Sequence, residues 1–133
     1  MKNNLNDKLF YLLMLLIGLY WLYIKGYILR NFEVVEPKVA YEMLGKDNNI
    51  TLLDVRTPQE FQHDGKITGA KLIPLSLLPK SLDQLDRSKK ILVYCRSGNR
   101  SVAAARILVG EGFRTMNLSG GILAWKKVGL PLE

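Results

Sequence analysis

Among 133 residues there is one cysteine, Cys95, and one histidine, His63. A single cysteine cannot close an intramolecular disulfide, and one copy of the chain cannot assemble a zinc site from Cys and His. No metal and no metal-dependent chemistry is expected. The cysteine count leaves the compartment open, because a chain without disulfides can reside on either side of a membrane. Also missing is any Lys/Arg run interleaved with aromatics, although the net charge is +7. Residues 1–30 hold four of the 19 basic residues and one of the 12 acids, which leaves 31–133 at 15 against 11, or +4. A modest basic excess without an aromatic-basic surface excludes a nucleic-acid partner and favours a small anionic one. No internal repeat or low-complexity tract is visible. The length suits one globular domain with an appendage, not two domains.

The appendage is the most conspicuous feature that is present. Residues 9–24, LFYLLMLLIGLYWLYI, form a 16-residue uncharged apolar run. Lys25 can snorkel, so the usable segment extends through Gly26-Tyr27-Ile28 to Leu29 and approaches the ~20 residues of a spanning helix. Tyr20, Trp21, Tyr23 and Tyr27 gather near one end, as an interfacial aromatic belt requires. A cleaved secretory signal should end in small residues, and this run ends Tyr-Trp-Leu-Tyr-Ile-Lys-Gly-Tyr. A soluble core helix should show polar positions at helical spacing, and Leu9 to Ile24 shows none. Residues 1–30 are therefore expected to be an uncleaved single-pass membrane anchor. Lys2 and Lys8 on one side balance Lys25, Arg30 and Lys38 on the other, so the positive-inside rule leaves the side of the membrane undetermined.

After a short connector, residues 31–133 alternate strand and helix signals. Ile50 to Val55 is β-rich, apolar and bounded by turn residues, and Ile91 to Tyr94 is a second unbroken apolar run. Both have the form of parallel strands covered on two faces. Thr57 offers an N-cap, Pro58 a first helical position and Glu60 the capping-box partner of a helix through Gln62. A short strand over Ala70–Ile73 and a Leu-rich helical stretch over Pro79–Leu85 follow. Ser101 to Val109 carries helical spacing, Thr115 to Leu118 reads as a last strand, and a helix begins at Gly121 and continues to 127. This order implies an α/β domain of three layers, with helices on both faces of a parallel sheet of about five strands.

Cys95 stands at the C-terminal end of an expected strand and opens the loop Arg96-Ser97-Gly98-Asn99-Arg100-Ser101. Such a strand-to-helix loop gathers backbone N–H groups at one point, and the helix dipole adds positive potential there. Arg96 and Arg100 add two cations, which together favour a thiolate. Gly98 removes a blocking side chain, and Ser97 and Ser101 offer hydroxyl donors. A lone cysteine is commonly an inert buried one. Two arginines, a glycine and two serines within six residues have no packing reason to gather.

The segment C-R-S-G-N-R-S resembles the active-site loop of the rhodanese family of sulfurtransferases. Leu53-Asp54-Val55-Arg56, followed by Pro58, Glu60 and Phe61, resembles that family's Asp-Val-Arg segment and acidic helix. Gly65-Lys66-Ile67-Thr68-Gly69-Ala70 resembles its Gly-His-Ile-Pro-Gly-Ala turn, with Lys66 and Thr68 departing from it. Leu118-Ser119-Gly120-Gly121-Ile122-Leu123-Ala124-Trp125, before Gly129-Leu130-Pro131, resembles its Gly-Gly-hydrophobic-Trp segment. The likeness covers residues 33–133.

The resemblance implies that Cys95 takes sulfane sulfur from a small anionic donor such as thiosulfate and yields it from a persulfide to a thiol, cyanide-like or protein acceptor. It implies that N–H groups of residues 96–101 hold the persulfide and that Arg96 and Arg100 position the donor's sulfonate part. No cofactor is implied. Asp54 and Arg56 are expected to be structural, as an ion pair or strand-end contacts. His63 is expected in a solvated loop and Trp125 in the core. The nearest rival, a Cys-dependent phosphatase or arsenate reductase of related fold, places its arginine six positions after the cysteine, whereas Arg100 lies five after Cys95. A persulfide carrier or binding module without turnover is the alternative from outside enzymology.

Overall fold

The computed structural model describes residues 4–133, which divide after Arg30 into two compact units. The first holds helix α1, Leu5–Ile24, none of whose residues is buried. At ~1.5 Å per residue its 20 residues reach about 30 Å, the thickness of a bilayer's hydrocarbon core. It is long and apolar enough to cross a membrane.

The second unit, Asn31–Glu133, contains five strands, β1 (Glu33–Val35), β2 (Ile50–Asp54), β3 (Lys71–Leu72), β4 (Lys90–Tyr94) and β5 (Thr115–Leu118), all parallel in the order β1-β5-β4-β2-β3. With helices α2 (Pro37–Lys46), α3 (Pro58–His63), α4 (Asn99–Gly110) and α5 (Gly121–Lys127), it forms the expected α/β domain. Alternation along the strands feeds two cores. Leu53, Ile91 and Val93 join Val102, Ala105 and Leu108 of α4 on one face. Leu52, Leu92 and Tyr94 join Ala40 of α2 and Ile122 and Trp125 of α5 on the other. Continuous apolar runs in β2 and β4 are what a doubly covered sheet demands.

Three local expectations are corrected. The supposed connector before Ile50 contains β1 and α2, the latter with Pro37 at its start. The Leu-rich stretch forms 3-10 turns, Leu75–Lys80 and Leu82–Gln84, instead of a regular helix, since Pro79 lacks the N–H that an α-helical bond requires. Helix α4 opens at Asn99, two residues before the expected Ser101, so Asn99 and Arg100 are helical.

Candidate active site

In register, Asp54 at the end of β2 lies beside Tyr94 at the end of β4, and Val35 of β1 beside Leu118 of β5. The segments leaving β2, β4 and β5 therefore emerge on one edge of the sheet. Cys95 is the first residue past β4 and is 1% exposed. Its Sγ accepts the Gly98 N–H at 3.1 Å and lies 3.4 Å from Ser101 Oγ. With a thiol the contact runs from S–H to the hydroxyl oxygen; with a thiolate the hydroxyl donates. The loop can bend back onto its own sulfur because Gly98 adopts φ 108°, in the left-handed region that glycine alone enters freely.

Gly98 caps a 12-residue helix whose first intrahelical bond runs from the Val102 N–H to the Gly98 carbonyl at 3.3 Å. The N–H groups of Asn99, Arg100 and Ser101 therefore precede the helical ladder, and the dipole's positive end lies in the loop. Ser97 and Asn99 are exposed at the loop's rim, while Ser101 is buried beneath it.

The loop rests on the chain leaving β5. Ile122 N–H donates to the Cys95 carbonyl at 2.9 Å and Leu123 N–H to the Arg96 carbonyl at 3.1 Å. Gly121 makes this approach possible, since a Cβ there would stand 2.6 Å from the Cys95 oxygen and 2.5 Å from the Arg96 oxygen, at φ +63°. The Gly-Gly pair is thus the seat of the cysteine loop, a role that sequence reading did not assign to it.

The two loop arginines differ. The Arg96 side chain is exposed and its guanidinium has no hydrogen bond or ion pair among the described residues, while its carbonyl accepts the Leu123 N–H. Arg100 is clamped by Glu60 of α3 through contacts of 2.6 and 2.8 Å. Two free cations beside the sulfur are therefore one free cation and one neutralised pair. Glu60 also closes the capping box of α3, receiving the Thr57 N–H at 3.3 Å while its own N–H donates to Thr57 Oγ1 at 3.2 Å. The Arg100 guanidinium, first, and the Thr57 contacts hold the Glu60 carboxyl down to about 2 from an ordinary 4.5. In sequence Glu60 reads as the capping-box partner of this helix and as part of the acidic helix after Asp-Val-Arg, with no contact to the cysteine loop assigned to it. Its place in the acidic segment after Asp-Val-Arg was the available signal for more.

Asp54 and Arg56 form a sealed ion pair, with Nη2 to Oδ2 at 2.6 Å, Nε to both carboxylate oxygens at 3.0 Å and the Arg56 N–H to Oδ1 at 2.9 Å. Arg56 also donates to the Gly65 carbonyl at 2.8 Å. Tyr94 lies under the guanidinium, and its hydroxyl accepts the Ile67 N–H at 3.2 Å. Burial, helped by the Asp54 charge, pushes the Tyr94 phenol well above its usual range, so it stays neutral. This network ties the end of β2 to the 65–70 turn. Trp125 is buried against Tyr41, with its indole N–H donating to the Pro131 carbonyl at 2.9 Å. His63 ends α3 instead of lying in a loop, and it is exposed.

Residues 36–128 match the rhodanese-like domain family. The chain belongs to that family. A sulfurtransferase of Allochromatium vinosum is 37% identical over 99 residues, which span 74% of this chain and 92% of that protein. The crystal structure of a rhodanese-related protein from Thermoplasma volcanium superposes with a TM-score of 0.71 at 34% identity, over 77% of this chain and 98% of that one. A Lactobacillus plantarum protein of known structure is similar over 97% of this chain and 99% of its own, at 25% identity and a TM-score of 0.64. In this rhodanese-like domain the thiol sits beside the N-terminal end of α4 and accepts the Gly98 N–H at 3.1 Å.

Proposed function

We propose that the protein is a membrane-anchored sulfurtransferase in which Cys95 carries sulfane sulfur as a persulfide. The observation that carries the reading is the sulfur's setting, buried and held by the Gly98 N–H at 3.1 Å, with Ser101 Oγ 3.4 Å away. The sulfurtransferase relative from Allochromatium vinosum supports the reaction class. In the first step the Cys95 thiolate attacks the outer sulfur of thiosulfate. A new S–S bond forms, the donor's S–S bond breaks, and sulfite departs with the electron pair. In the second, an acceptor nucleophile takes the outer sulfur and returns the pair to Cys95. Loop N–H groups from Arg96 to Ser101 receive the persulfide's negative charge, and preorganised donors of this kind supply stabilisation without reorganisation. Arg96 draws the sulfite half of the donor, while Arg100, fixed by Glu60, shapes the wall. Helix α1 holds the domain at a membrane surface, and release of the full-length protein from membranes by carbonate would contradict that part.

Turnover tests the reading. Full-length protein in detergent micelles should form thiocyanate from thiosulfate and cyanide, and Cys95→Ser should form none. A wild type that gains sulfur without turning over would instead be a persulfide carrier for a protein acceptor.

A further inference from the structure

The positive charge of the domain is unevenly spread. Residues 71–114 carry nine basic residues against three acidic ones, whereas the remainder of 31–133 carries six against eight. Part of this excess collects at the edge of the sheet opposite Cys95, where the strands begin. Lys90 opens β4, and its N–H donates to the Asn49 carbonyl before β2 at 3.1 Å, while the Ile91 N–H donates to the Arg114 carbonyl before β5 at 2.9 Å. Arg87, Lys89, Lys90 and Arg114 therefore gather around the starts of β4 and β5, with Lys46 at the end of α2, just before β2.

These cations are held open. Arg87 spends one terminal nitrogen on the Glu111 carbonyl at 2.6 Å and lies over the Phe113 ring, and Arg114 spends one on the Ser88 carbonyl at 3.1 Å. Each guanidinium keeps other N–H groups for an external acceptor. Lys46, Arg87 and Arg114 are exposed, Lys89 and Lys90 are half-buried, and none of the five forms an ion pair among the described residues. Asp47, Asp86 and Glu111 are the acids of this edge, so five cations against three leave it positive. Asp86 is already engaged by the Ser88 N–H and hydroxyl at 2.9 and 2.6 Å, and Glu33 lies farther along, level with Leu92. The chain enters the domain at this same edge. Residues 25–32 lead from α1 into β1, and eight residues extend at most about 29 Å.

We propose that this edge docks on an anionic lipid surface and turns the Cys95 edge towards water. The proposal rests on the membrane-anchor reading above. A bilayer with phosphate headgroups is the extended anionic surface that a domain tethered by α1 meets first. Such a surface attracts Lys/Arg clusters within a Debye length, ~10 Å at 0.1 M salt. Tethering raises the effective concentration of the edge at that surface, so a modest net charge suffices. The five residues of β4 span roughly 17 Å, which sets Cys95 beyond the screening distance, where an anionic sulfur donor is not repelled by the lipid.

The test is lysine acetylation of the full-length protein in phosphatidylcholine vesicles, with and without phosphatidylglycerol, read by peptide mass. Lys89 and Lys90 should label several-fold more slowly when phosphatidylglycerol is present, while Lys38 and Lys127, exposed on α2 and α5, keep their rates. Salt at about 1 M, where the Debye length is ~3 Å, should remove the difference. Arg114→Glu should remove it too and leave thiocyanate formation unchanged. Equal labelling with and without phosphatidylglycerol would overturn the proposal, and so would an equal slowing of all four lysines. Protection reproduced by inorganic phosphate in phosphatidylcholine vesicles would assign the edge to a free anion and overturn the lipid surface. Release of the protein from the vesicles by carbonate would instead sink the anchor reading, and this one with it.

Discussion

Two arginine–carboxylate pairs stand behind the sheet's edge with the same shortest contact, 2.6 Å, yet they occupy opposite environments. The side chains of Arg56 and Asp54 are 1% and 0% exposed, and those of Arg100 and Glu60 are 35% and 19% exposed. Contact distance therefore says little about what each pair does. A sealed pair survives only with every partner in place, because each lost partner strands a charge away from water. A half-exposed pair costs little to break, so its worth lies in where it holds a guanidinium. One pair ties the end of β2 to the 65–70 turn, and the other fixes the Arg100 guanidinium against α3.

Breaking the sealed pair should have the largest effect. Arg56→Ala leaves Asp54 charged, buried and without its main partner, and should cost about 3–5 kcal/mol in urea unfolding. A loss below ~1 kcal/mol, the scale of surface pairs, would erase the distinction between the two.

Next comes the seat of the loop. Gly121→Ala places a methyl against two carbonyl oxygens at a positive φ, and should cost about 1–3 kcal/mol. It should also slow alkylation of Cys95 by iodoacetamide more than Gly98→Ala does. At Gly98 the strain is only that of the backbone, because the nearest atom to an added Cβ, Gly120 N, is 3.8 Å away.

The exposed pair should give the smallest effect on stability and a distinctive one with pH. Because Glu60 is held down to about 2 from 4.5, its contribution is fully present above 4.5 and fades as pH falls towards 2. Melting curves of wild type and Glu60→Gln should differ by less than about 1 kcal/mol at neutral pH and converge in that acid window. A difference that grew on acidification would reverse the sign and refute the pairing.

The contrast also separates features that are local in the sequence from those that depend on the fold. Strands β2 and β4, the Thr57–Glu60 capping box and the cysteine loop are local patterns, and their residues announce them. Strand β1 is three residues long, with Glu33 and Val34 exposed, so it carries no apolar run and is indistinguishable in sequence from a connector. Pro79 could have warned against a regular helix. The Glu60–Arg100 clamp joins positions 40 apart in sequence. Contacts of that range depend on which strands are neighbours, and no local pattern encodes sheet order.

Everything proposed for the site depends on Cys95 Sγ being the atom that carries sulfur. Intact mass of the full-length protein after thiosulfate, with and without later cyanide, tests it most directly. The wild type should gain one sulfur atom that cyanide removes and that Cys95→Ser never shows. An unchanged mass in the wild type, or the same gain in Cys95→Ser, would contradict it.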